Sequence, residues 1–102
     1  MSAERYINAA QQRVLTMTMR LAGHEIEGLA PSELAKALHT SNSNVTRDLA
    51  NLKEAGFAEP LDNGRWRLTP RVVQISVAAG KAFADAQDRL NEARQRFSRD
   101  PK

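Results

Sequence analysis

Residues 30–68 read APSELAKALHTSNSNVTRDLANLKEAGFAEPLDNGRWRL. Pro31 suits a first helical position, where its missing N–H costs nothing, and Glu33 suits the positive end of that helix. The run 31–38 then turns Leu34, Ala35 and Leu38 inward. His39-Thr40 forms a break. Ser41 or Asn42 caps the next helix, because a short oxygen-bearing side chain accepts an orphan backbone N–H. That helix, about 41–55, has Val45, Leu49 and Leu52 as its buried stripe, and Gly56 ends it as a left-handed cap. Phe57 anchors the start of a hairpin over 57–68, whose Asp62-Asn63-Gly64 supplies positive φ cheaply. Trp66 and Leu68 share one face of the hairpin by the two-residue period, and Arg65 and Arg67 share the other.

The flanks extend this frame. Ile7, Ala10, Val14, Met17 and Leu21 step by three and four, so 3–22 is predicted as a first helix, stopped by Gly23. Residues 23–29 are a loop in which Leu29 is expected to pair as a short strand with the hairpin. Thr69 caps a last helix that opens at Pro70. Along it Val72, Ser76, Ala79, Phe83, Ala86, Leu90, Ala93 and Phe97 follow four-three spacing for four heptads. The predicted fold class is mainly α with a small β-hairpin: a winged helix-turn-helix followed by a long C-terminal helix. The expected division is 1–69 for the winged unit with its N-terminal helix, 70–98 for the long helix, and a frayed tail at 99–102.

Composition narrows the function classes. The 102 residues fit one small domain, and the absence of cysteine excludes disulfides and thiolate metal sites. The N-terminus carries no apolar run of secretory type, and no stretch is long enough to span a membrane, so a cytoplasmic protein is expected. The net charge of +3 is unevenly placed. Residues 1–70 hold eight basic and eight acidic side chains, and the surplus lies beyond them. Bulk charge therefore carries no argument for a polyanionic partner, and local placement must. Only two histidines occur. His24-Glu25 lacks the spacing of a zinc motif, and no glycine-rich phosphate loop is present. Neither a catalytic residue nor a metal ligand nor a cofactor is expected.

Two polar surfaces remain as candidates. On the third helix Ser41, Asn42, Ser43, Asn44, Thr46 and Arg47 lie at the N-terminal half, off the buried stripe. Asn bonds adenine and Arg bonds guanine in bidentate fashion, and Ser or Thr reaches base or phosphate. Asp48 and Glu54, further along, are expected to repel phosphate and so confine docking to that half. On the hairpin, Asn63, Arg65 and Arg67 are placed to meet the backbone or minor groove; the competing reading is an edge strand protected by charge. The seam of the last helix needs a partner. It either folds back on the first helix or pairs with a second chain. The second is preferred, with Ile7, Val14, Val72, Ala79, Phe83, Ala86, Leu90 and Phe97 as the dimerisation set.

Ser43-Asn44-Val45-x-Arg47-x-Leu49, Gly56-Phe57 and Gly64-Arg65-Trp66-Arg67-Leu68 resemble the recognition helix and wing of the N-terminal DNA-binding domain of IclR-family bacterial transcription regulators. The similarity runs over about 12–73, and MarR-like and other winged regulators share much of it. The resemblance implies a DNA-binding transcription regulator, with Ser43, Asn44 and Arg47 as matched helix positions and Arg65 in the matched wing. His39-Thr40 stands where that family has Gly-Leu, which predicts a left-handed histidine. One helix follows the wing, so no small-molecule effector domain is expected. Double-stranded DNA and a second copy are the expected partners. The alternative is a winged helix used as a protein-interaction or assembly module, for which the neutral charge of residues 1–70 is the evidence.

Overall fold

A computed structural model describes residues 3–99. The chain divides into two compact units between Arg71 and Val72. In the first, a 3₁₀ turn at Ala3–Tyr6 precedes helix α1 (Ala9–Leu21), α2 (Pro31–Ala37), α3 (Asn42–Glu54) and the antiparallel strands β1 (Ala58–Pro60) and β2 (Trp66–Leu68). Helix α4 (Pro70–Phe97) supplies the second unit. This is a mainly helical winged helix-turn-helix with a long C-terminal helix. Of the predicted 99–102 tail, residues 100–102 lie outside the described residues.

The first helix is shorter than its apolar periodicity suggests. Asn8 is extended (φ −111°) and its side-chain oxygen accepts the Gln11 N–H at 3.0 Å. That bond starts α1 at Ala9 and leaves Ile7 outside it. Capping chemistry outweighs periodicity here because Ile7 gains no burial; it is 61% exposed.

Met17 and Leu21 of α1, Leu34 and Ala35 of α2, Val45, Leu49 and Leu52 of α3, and Ala58 and Leu68 of the hairpin form the core. The turn between α2 and α3 takes the left-handed conformation at His39 (φ 52°), the one non-glycine residue with positive φ among those described. Thr40 N–H donates to the Ala35 carbonyl at 3.0 Å, which closes the end of α2. Ser41 caps α3, its hydroxyl oxygen accepting the Asn44 N–H at 3.1 Å.

Strand register pairs Ala58 with Leu68, Glu59 with Arg67 and Pro60 with Trp66. Leu29 adds the expected third partner through two 2.8 Å backbone bonds with Trp66. The hairpin loop differs from a two-residue Asn-Gly turn. Gly64 N–H donates to Leu61 O at 3.0 Å, and Leu61 N–H donates to Arg65 O at 2.6 Å. Within the loop only Gly64 has positive φ (85°), which is a type I turn closed by a glycine bulge. Asn63 accepts the Arg65 N–H on its side chain at 3.0 Å, so it stabilises the loop without becoming left-handed itself. Thr69, expected to cap α4, donates its hydroxyl to the Gly56 carbonyl at 2.5 Å.

Gly28 is buried at φ +71°, where an added Cβ would stand 2.6 Å from Leu61 Cδ1 and 2.7 Å from the Trp66 carbonyl oxygen. Gly28→Ala combines a disfavoured φ with a backbone clash. It is expected to destabilise the fold by about 2 kcal/mol or more, read as a fall in urea midpoint. An unchanged midpoint would mean that Leu29 is free to leave Trp66 without consequence.

Candidate nucleic-acid interface

Helix α3 presents two unlike faces. Val45, Leu49 and Leu52 face the core. Asn42, Ser43, Thr46 and Arg47 are exposed. Arg47 makes no ion pair among the described residues. Thr46 returns its hydroxyl proton to the Asn42 carbonyl at 2.9 Å. Asn44 is half-buried, and its amide donates to the Thr40 hydroxyl at 2.8 Å. Asn44 therefore braces the turn; among the described residues Asn42, Ser43 and Arg47 are the exposed polar side chains of this half without a side-chain hydrogen bond, and Thr46 is exposed with its proton engaged.

Asp48 departs most clearly from the sequence reading. It does not face outward to repel phosphate: it is 3% exposed and lies on the buried stripe between Val45 and Leu49. Arg13 of α1 meets it in a two-point bond, Nε to Oδ2 at 2.5 Å and Nη2 to Oδ1 at 3.0 Å. The hydrogen bonds that Arg13 donates to Asp48, with a smaller contribution from the Asp48 charge, hold the Arg13 pKa above its usual value against the opposing effect of burial. A cation whose pKa rises on folding contributes its full stabilisation below the unfolded pKa and loses it as pH rises through the folded pKa. The pair is therefore intact throughout the neutral range. The third-helix residues 45, 48, 49 and 52 share one helical face. That placement was the signal for Asp48; Arg13, 35 positions away, had none.

An open groove of about 840 Å³ lies between α1 and α3. Ala9, Ala10 and Val14 line one side, and Asn44, Arg47 and Asn51 the other. Asn51, which the sequence did not single out, donates its amide to the Arg47 carbonyl at 2.8 Å. No group of three or more potential metal-ligating side chains occurs among the described residues, and no described helix is long and apolar enough to cross a membrane.

The hairpin arginines are held within the fold. Arg65 donates to the Glu27 carbonyl at 3.0 Å and the Gly28 carbonyl at 2.9 Å, and pairs with Glu33 at 2.9 Å. Glu33 also accepts the Ala30 N–H at 3.2 Å, so one carboxylate serves both the start of α2 and the base of the hairpin. Arg67 pairs with its cross-strand neighbour Glu59 at 3.0 Å and reaches the Glu25 carbonyl at 3.4 Å. Asn63 is exposed at the hairpin tip. The site residues thus fall into an open set on α3 and a hairpin set already engaged.

The residues expected to dimerise are carried differently by the two units. In the first, Ile7 is exposed and Val14 half-buried. In the second, Ala79, Phe83, Ala86, Leu90 and Phe97 are exposed and Val72 is half-buried.

Residues 6–60 match the family described as a helix-turn-helix domain. No curated protein sequence matches the chain. Among solved structures, a mutant of MepR from S. aureus is similar at 20% identity and a TM-score of 0.53, over 88% of this chain and 68% of that one. A MarR family transcription regulator is similar at 24% identity and a TM-score of 0.48, over 90% and 60%. A mutant of ZitR from Lactococcus lactis is similar at 16% identity and a TM-score of 0.49, over 96% and 67%. This chain thus spans 60% to 68% of the length of these structures. At such identities the likeness to MepR is one of fold.

Arg13→Leu would strand the Asp48 carboxylate in the core. Its melting temperature is expected to fall by roughly 10 °C or more. Arg13→Leu combined with Asp48→Leu should recover much of that loss, since no unpaired charge remains. Equal melting temperatures for the single variant and the parent chain would show that the pair does not hold α1 to α3.

Proposed function

The chain belongs to this helix-turn-helix domain family, and from that premise we propose that it is a DNA-binding transcriptional regulator, cytoplasmic and non-enzymatic, acting as a homodimer. The observation that carries the reading is the exposed N-terminal half of α3, where Ser43, Thr46 and an unpaired Arg47 project from a capped helix end. A helix so presented fits a major groove, with Arg47 the group best suited to a guanine edge or a phosphate. Burial of Asp48 supports this, because it removes a negative charge from the surface that would face DNA. Asn44 and Ser41 act at one remove by fixing the helix start. Asn63 meets the backbone from the hairpin tip. Arg65 and Arg67 position the wing and keep part of their charge exposed towards phosphate. The spacing Ser43-Asn44-Val45-x-Arg47, with Gly64-Arg65-Trp66-Arg67-Leu68, supports an IclR-type assignment of recognition helix and wing. Functionally the chain divides into the winged unit to residue 69 and the dimerisation helix of 70–98.

A second reading has its own observation. The winged unit is electrically balanced and both β2-side arginines are engaged internally, which also suits a protein-interaction module.

Selection from a random DNA pool tests the first reading. A recovered site is expected to be a pseudo-palindrome, and affinity for it should fall as salt rises. Arg47→Ala is expected to weaken binding to that site by about 10- to 100-fold, the range of one lost bidentate base contact, without lowering the melting temperature. Arg65→Ala should lower both affinity and melting temperature. Retention of a protein partner, with no DNA bound at low salt, would favour the second reading.

A further inference from the structure

Helix α4 has no buried residue anywhere along Pro70–Phe97. Phe83 is 77%, Leu90 47% and Phe97 85% exposed. A 28-residue helix with such a stripe is not stable in water without a cover. Its own sequence specifies what that cover is. The stripe alternates two position types. One type holds Ser76, Phe83, Leu90 and Phe97, and the other holds Val72, Ala79, Ala86 and Ala93.

In a parallel two-stranded pairing each position meets its own copy. Phe83 would then face Phe83, and one layer further on Ala86 would face Ala86. Layers would alternate between overfull and hollow, and both faults are destabilising. In an antiparallel pairing each position of one type meets one of the other. When Phe83 is set against Ala86 of the second copy, the same register sets Leu90 against Ala79, Phe97 against Val72 and Ser76 against Ala93. Every large side chain then meets a smaller one, and the layers become similar in volume.

The flanking positions select the same orientation. A parallel pairing would bring Arg89 beside Arg94 of the other copy, a like-charge contact repeated by symmetry. The antiparallel register instead lays Arg94 alongside Val73, Arg96 alongside Ile75 and Arg89 alongside Ala82. Val73 and Ile75 are 47% and 58% exposed, and arginine stems cover apolar surface while their charged ends stay in water. The flanks are apolar in the first half of α4 and basic in the second, so each half complements the other half of a second copy. Lys81 and Asp85, paired with each other at 2.8 Å, lie off this seam.

We propose that α4 pairs antiparallel with α4 of a second copy, in the register that places Phe83 against Ala86. The proposal rests on the homodimer reading above and adds its orientation and register.

The chain contains no cysteine, which allows a clean crosslinking test. Ser76→Cys and Ala93→Cys are small changes prepared in separate full-length chains. In the proposed register a residue at 76 lies about 26 Å along the axis from its own copy, far beyond disulfide reach. Neither variant should therefore crosslink alone under oxidation. The two refolded together should give a reducible species of twice the chain mass. Ala79→Cys with Leu90→Cys should behave the same way. Crosslinking of each variant with itself would overturn the antiparallel orientation. A dimer by light scattering that crosslinks in no combination would overturn the register. A monomeric mass for the unmodified chain would overturn the homodimer reading together with this inference.

Discussion

The Arg13–Asp48 pair is the constraint on which the winged unit depends. Met17 and Leu21 of α1 and Val45 and Leu49 of α3 are buried in the same core, where α1 packs on α3. Such contacts tolerate sliding and rotation, because dispersion and hydrophobic burial have little directional preference. A guanidinium gripping a carboxylate at two points does not tolerate them. The bond sits on the core side of α3, so it fixes which residues of that helix face outward. Asp48 at 3% exposure makes the constraint strict: any rotation that breaks the bond leaves a charge in the core. The exposure of Ser43, Thr46 and Arg47 follows from this inward anchor.

Much of the frame was legible from sequence because its signals are local. Pro31, Ser41, Gly56 and Gly64 each act within a few residues of themselves, and each occupies the role its chemistry suggests. The Leu29 pairing was legible too, since a half-buried hairpin edge needs backbone partners. Three features were not. Asn8 starts α1 because an unburied Ile7 gives periodicity no energetic weight there. Polarity, the ordinary mark of exposure, places Asp48 at the surface, whereas its helical phase with Val45 and Leu52 points to the core. The backbone carbonyls that hold Arg65 and Arg67 lie about 40 residues away, and no spacing rule reports a bond formed across the fold.

The two units depend on different physics. The winged unit closes around a small core and leaves its polar groups largely paired at home. Helix α4 has regular sequence and no core of its own. Its heptads were plain because repetition makes a seam readable, and their size alternation carries further information that a simple count of apolar positions misses. In the dimer proposed above, the stability of that helix would be a property of the assembly and so linked to protein concentration in a way the winged unit is not.

The internal engagement of Arg65 and Arg67 has a kinetic side. Non-specific attraction to DNA grows with the number of phosphates a protein neutralises. A balanced winged unit whose hairpin cations already hold carboxylates and carbonyls offers few such contacts. On the DNA-binding reading proposed above, its residence on random sequence would be correspondingly brief and sliding along the duplex short. A regulator of the proposed kind would reach its site mainly by repeated encounters from solution. Occupancy would then follow copy number closely, and the abundant non-specific DNA of a cell would sequester little of the protein.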